Sequence, residues 1–452
     1  MHLRLRTALA CAVLAGTLTA CSSDSSSDGG GDGNVTLDYA LWDDRQLPAY
    51  QECADAFTKA NPTIKVKISQ TAWAEYWTNL TTGLASGTAP GVFTDHVGYY
   101  AKFVKSEQLL DLQPFVEKDG VDLGQYQKGL PELWVKDGKR YGLPKDFDTM
   151  ALIYNADMLK KAKIDPASLD ALDWNPQDGG SFEELIAKLT LDDKGRNGLD
   201  PEFDKKNVKV YGYQPDYDSG GAPGQSSFGN FAASTGFTFT DKNPFGTKFH
   251  YDDPRLAATI DWMASLAGKG YAPKLNKSST IGTDAVLNGG KAALALTGSW
   301  NINTYLGPAA KEKFAFAQLP TGPEGRKSMI NGLSDAIYSG TRHPDEAWKW
   351  VKYLGSTDCQ DLVAKKAVVF PAITSSAEKA LAAHKDAGRD VSAFTDQAAE
   401  PGNLFYWPIT DNGDQIATAV KDAVYSVYLG QTSASAALSG LQKQVDGFLA
   451  QG

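Results

Sequence analysis

The chain has 452 residues, a formal charge of −10 and a 42% hydrophobic fraction. That length exceeds one ordinary core and predicts two or three domains of ~100–200 residues each. An acidic chain without a basic stripe excludes a nucleic-acid partner and direct contact with anionic lipid head groups.

At the N-terminus, Arg4 and Arg6 precede an apolar run, Ala8 to Leu18, that is too short to span a bilayer. Leu18-Thr19-Ala20-Cys21 follows, then a Ser-, Gly- and Asp-rich stretch. This arrangement resembles the lipobox of bacterial lipoprotein signal peptides. The resemblance implies a signal peptide over 1–20 and acylation of Cys21 as the first mature residue. The protein would then be lipid-anchored at the extracellular face of the cytoplasmic membrane. Residues 21–34 read as a flexible tether.

Order begins with an alternating strand, Val35 to Trp42, then an amphipathic helix, Leu47 to Ala60, and a second alternating strand, Ile64 to Ile68. Strand, helix and strand at this spacing form a βαβ unit and predict a parallel sheet. A helix over Trp73–Ser86, a short strand at Gly91–Phe93, a helix over Tyr99–Gln108 and a strand over Thr149–Tyr154 continue the pattern. Phe182–Leu189 reads as a helix with Ser181 as N-cap and Glu184 completing a capping box. Further on come a helix over Pro254–Leu266, a buried strand over Ala292–Leu296, a helix over Pro344–Leu354 and two final helices joined through Gly430. The class is α/β throughout.

With Cys11 lost in the signal and Cys21 acylated, Cys53 and Cys359 remain. An even pair in an oxidising compartment predicts one disulfide, two buried free thiols being the alternative.

Several segments, in order, resemble extracellular solute-binding proteins of family 1, the maltose-binding-protein-like sugar receptors of ABC importers. They are Ala56–Pro62, Leu84–Pro90, Tyr141–Asp146 with Leu152–Asn155, Asn288–Ala293 with Gly298-Ser299-Trp300, and Pro344–Leu354. The chain departs from the family at Pro90-Gly91, where many relatives have Pro-Asp. The resemblance implies two α/β lobes, a hinge crossed more than once, and a ligand cleft between the lobes. It places 35–148 and 325–355 in the first lobe, with 149–324 and 356–452 in the second. It also implies a monomer that closes around a sugar and delivers it to ABC permease subunits.

A sugar needs flat rings for its apolar faces and carboxylate or amide groups for its hydroxyl edges. Trp42 and Asp43 close the first strand, although Trp42 also suits a core and Asp43 a helix cap. Trp73 and Tyr76 lie on a helix where at least one ring should be core. Asp95 and His96 follow the third strand. Asp146 and Asp148 lie where the chain should cross between lobes, and Asp148 matches a sugar-contacting carboxylate of the family. Trp300 matches its stacking tryptophan. Asn331 and Gly332 precede a strand near the second crossing, where glycine would let backbone approach a ligand closely. Tyr406 and Trp407 precede the final helices, and Tyr217 is a further loop ring.

No cofactor is expected. Residues 193–204 read as a plain turn, with a structural Ca²⁺ in an imperfect EF-hand-like frame as the alternative. The sequence contains no G-x-S-x-G elbow, P-loop or H-E-x-x-H, and the four mature histidines are too scattered for a metal cluster. The chain is therefore read as a non-enzymatic sugar receptor. An anchored glycoside hydrolase and a receptor for a peptide or polyamine are the rival classes.

Overall fold

The computed structural model describes residues 34–217, 223–278 and 281–451. Cys21, and residues 1–33 in which the signal peptide and most of the tether are expected, lie outside the described residues. In chain order the strands are β1 (Val35–Leu41), β2 (Ile64–Gln70), β3 (Val92–His96), β4 (Val135–Lys136), β5 (Lys139–Arg140), β6 (Leu143–Asp148) and β7 (Met150–Asn155). They continue with β8 (Leu191–Asp192), β9 (Val208–Tyr213), β10 (Ala292–Gly298), β11 (Phe314–Ala317), β12 (Ser328–Ile337), β13 (Phe370–Pro371) and β14 (Leu404–Tyr406).

Alternation builds the first unit: β1 buries Leu37, Tyr39 and Leu41 while Thr36 and Asp38 face solvent. The helix Leu47–Ala60 buries Tyr50, Cys53, Ala54 and Phe57 on one stripe and returns the chain to β2, which pairs parallel with β1. One sheet then runs β13-β6-β12-β3-β1-β2, with β14 beside the start of β12. The other runs β11-β7-β10-β9-β8. Each sheet carries one α/β lobe. The chain passes between them at Thr149, where β6 of the first sheet leads directly into β7 of the second.

Two local expectations differ from what is found. Ser181 does not cap its helix: the cap is Gly179, at φ 82°, and Ser181 Oγ instead donates to the Asp173 carboxylate at 2.5 Å. Residues 357–386, expected with the second lobe, pack with the first. The helices Thr357–Lys366 and Thr374–Asp386 lie against each other and beside β13, and the first of them packs on the helix Leu47–Ala60. An apolar cluster around Tyr50, Phe57, Trp350 and Val363, together with the Cys53–Cys359 disulfide, holds that layer.

In the 193–204 stretch the ends are closed by the protein's own groups. Asp192 accepts from Arg196 Nε at 2.8 Å and from the Asp204 amide at 3.1 Å. Among the described residues no three His, Cys, Asp or Glu side chains are grouped to hold a metal ion.

The disulfide closes a loop with a sequence separation of 306 residues. Replacing both cysteines by serine should lower stability by roughly 2–5 kcal/mol. A denaturant midpoint equal to wild type would contradict that expectation.

Candidate functional site

The ends of β3 and β6 flank the middle of β12, and β1 lies beyond β3. In register, Asn331 of β12 lies opposite Asp148, and Leu333 lies between Asp146 and His96. Trp407 joins this edge because its amide donates to the Ile330 carbonyl at 3.0 Å.

An aromatic wall forms one side. Trp42 leaves β1, and the loop is fixed by Gln70 Nε2 donating to the Trp42 carbonyl at 2.8 Å. Its ring meets Trp73 at 5.0 Å, Tyr76 at 5.2 Å and Trp77 at 5.4 Å. The last three share one face of the helix Trp73–Ser86, as i, i+3 and i+4 spacing requires. Trp73 also meets His96 edge-on at 5.6 Å, and His96 meets Trp407 at 5.2 Å. Trp77 lies flat on Tyr99 at 3.7 Å, which stiffens the wall from behind. Trp73, 40% exposed, presents an open surface, and Trp42 is half-buried.

His96 accepts from the Gly98 amide through Nδ1 at 3.0 Å, which puts the proton of the neutral ring on Nε2. Burial lowers its pKa to about 3, so this histidine is neutral across the physiological range.

A carboxylate floor forms the other side. Asp146 and Asp148, two apart on β6, point from the same strand face. Asp148 accepts from Ser299 Oγ at 2.6 Å and from the Trp300 amide, so the second lobe reaches the first here. Burial, then the Asp43 charge, raise its pKa to about 7. Asp146 is 1% exposed and neither of its oxygens has a hydrogen-bond partner; burial pushes its pKa upward, the Lys145 charge opposes this, and Asp148, Asp335 and Asp43 add to the rise. Asn331 donates to Gln225 Oε1 at 3.2 Å, while its own Oδ1 is buried and unpartnered. Asp43 caps the turn into the first helix, accepting from the Arg45 amide at 2.8 Å, and its charge reaches Asp146 and Asp148.

Trp300 lies over Gly298: a Cβ there would come within 1.9 Å of the indole. The conformation of that ring therefore depends on glycine at 298. Arg45 spans from the first lobe to the Trp300 carbonyl at 3.4 Å and to Thr304 Oγ1.

Other expected residues are engaged elsewhere. Tyr76 donates to the Thr94 carbonyl at 2.6 Å and belongs to the core behind the wall. Asp95 alternates away from His96: it accepts the His96 amide at 2.8 Å, and its charge adds to burial in raising the Tyr76 and Tyr100 phenols. A Cβ on Gly332 would face Leu133, Leu130 and Val97, on the core side. Tyr217 donates to the Pro273 carbonyl at 2.7 Å and meets Tyr428. Tyr406 donates to the Lys128 carbonyl at 2.9 Å and lines a separate cavity of about 520 Å³ with Phe237, Phe239, Leu404 and Phe405. That cavity is not lined by Asp146, Asp148 or Trp300, because the lobes meet over the carboxylates and bury them.

Gln225, Ser299, Arg45 and Tyr99 were missed from the sequence. Gln225 follows a turn cluster and carries no periodic signal, while Ser299 was visible inside Gly298-Ser299-Trp300.

A two-lobed fold with a ring-lined, acid-floored edge between its sheets defines a small-solute binding protein. The chain belongs to the bacterial extracellular solute-binding proteins, whose family pattern matches residues 52–395. It is similar to the maltodextrin-binding protein MdxE of Bacillus subtilis, 25% identical over 351 residues, covering 76% of this chain and 75% of that one. Among solved structures, UspC of M. tuberculosis is 25% identical with a TM-score of 0.71, covering 91% of this chain and 100% of that one. An ABC substrate-binding protein of Listeria monocytogenes, solved in complex with cycloalternan, shares the fold at TM-score 0.78 and 19% identity, covering 92% of this chain and 99% of that one.

An acid whose native pKa lies above its ordinary value is bound to a proton in the fold that the unfolded chain has already lost. Stability therefore falls as pH rises from about 4 to about 7. Asp148→Asn keeps an acceptor for Ser299 and removes this charge. In ligand-free protein its melting temperature should match wild type near pH 4 and exceed it above pH 7, by a stability difference of at most about 4 kcal/mol. A difference that is flat with pH would refute the assignment.

Proposed function

We propose that this chain is an extracellular receptor for a sugar or oligosaccharide, held at the membrane through acylated Cys21. Closure of the lobes over the ligand would present it to an ABC permease, without turnover of the sugar. The observation that carries this reading is the meeting of Trp42, Trp73 and Trp407 with buried hydrogen-bonding groups on Asp146, Asp148 and Asn331. Rings match the apolar faces of a pyranose, and carboxylate and amide oxygens match its hydroxyl edges. Relatives named for maltodextrin and solved with cycloalternan support the same ligand class.

Membership in a family of binding proteins supports a receptor over a hydrolase. Product analysis after incubation with any sugar that binds separates the two, and released cleavage products would favour the hydrolase.

Removing a stacking ring should weaken binding by roughly 1–3 kcal/mol. Trp73→Ala, at a ring 40% exposed, should show that loss in calorimetry in a variant that still unfolds cooperatively, at a melting temperature lowered by the lost contacts with Trp42 and Trp77. The same test applies to Trp300→Ala. Unchanged affinity in both variants would remove the rings from the site.

A further inference from the structure

The site's charge is unbalanced. Asp43, Asp146 and Asp148 lie within electrostatic reach of one another. Lys145, the basic group beside them, is already held on the far side of β6. Its Nζ donates to Tyr39 Oη at 2.8 Å and to Thr94 Oγ1 at 2.7 Å, lies 3.6 Å from Asp335 Oδ1, and sits 3.8 Å over the Tyr50 ring. Tyr39 in turn donates to Asp335 at 2.7 Å. Lys145 also acts on Asp146, so one buried cation faces Asp43, Asp146, Asp148 and Asp335, and the floor keeps an excess of acids. Arg45, the other nearby cation, is directed at the Trp300 carbonyl and Thr304.

A second observation points to a ligand at this floor. Both oxygens of Asp146 and Oδ1 of Asn331 are buried without a partner. Unpartnered buried polar groups are costly, and a carboxylate is the costliest when charged. Burial favours the protonated form of these acids, so neutral hydroxyls would satisfy their lone pairs and leave the cost of ionising them in place. A bound cation removes both penalties, and the adjoining indoles add attraction for an ammonium group over their faces.

We propose that the ligand of this chain is a basic sugar, one carrying a free amine that Asp146 and Asp148 receive while the ring lies on the aromatic wall. The proposal rests on the sugar-binding reading and narrows it. Asp43 supports the charge from the neighbouring turn.

The test is calorimetry at pH 7 with matched sets of mono- and disaccharides, α- and β-linked. Each scaffold is offered as the neutral sugar, the free amine and the N-acetylated amine. The free amine of at least one scaffold should bind tenfold or more tighter than both of its neutral counterparts. Asp146→Asn and Asp148→Asn, verified as folded by thermal unfolding, should reduce that preference below threefold. Neutral or acetylated forms that bind as tightly as the amine would overturn this inference and leave the sugar-receptor reading standing. A folded protein that binds no member of any set would overturn both.

Discussion

The constraint on which the rest depends is that β12 is buried along all ten residues yet carries Ser328, Asn331, Ser334 and Asp335. It lies antiparallel between β3 and β6 and takes β14 at its start, so three separated chain segments meet on one strand. Polar groups in such a place need partners, and those partners determine the architecture. Ser328 Oγ accepts from the Met150 amide at 2.9 Å and ties the first sheet to the start of the second. Asp335 draws in Tyr39, Thr94 and Lys145. Asn331 draws in Gln225 and leaves one acceptor free.

Two kinds of buried charge therefore sit a few residues apart on β6. Lys145 is compensated by a dense set of partners, which is the condition under which a buried ion pair is tolerated. Asp146, the next residue, has none. Lys145 sits at a register shift between Pro144 and Asp146, and its Nζ turns to Tyr39, Thr94 and Asp335, a network that Asp146 does not join by a hydrogen bond. Asp148 differs from both: Ser299 and the Trp300 amide donate to it, while burial and the Asp43 charge still raise its pKa to about 7.

Much of the scaffold was legible in the sequence because β1, β2 and the helices between them follow simple periods. Trp42, Trp73 and Asp148 drew notice in the sequence because they sit at element ends or in a family-like segment, and the fold brings them to one edge. β6 was harder: Leu-Pro-Lys-Asp-Phe-Asp reads as a polar loop, but each of its six residues is buried. Its charges are answered from β1, β3 and β12, over sequence separations that local patterning does not register. The same limit hid Gln225 and Arg45, whose roles come from contacts across lobes. It also misplaced 357–386, since nothing local in that helix pair indicates that Cys359 meets Cys53. Asp95 and Gly332 were drawn toward the site by sequence proximity, and alternation turned both to the core.

The most direct measurement is a crystal structure of the protein with a bound oligosaccharide. The account predicts a sugar ring within ~4 Å of Trp73 or Trp300, with its polar groups on Asp146, Asp148 and Asn331. A ligand seated in the cavity beside Phe239 and Phe405, with Asp146 still unpartnered, would contradict it.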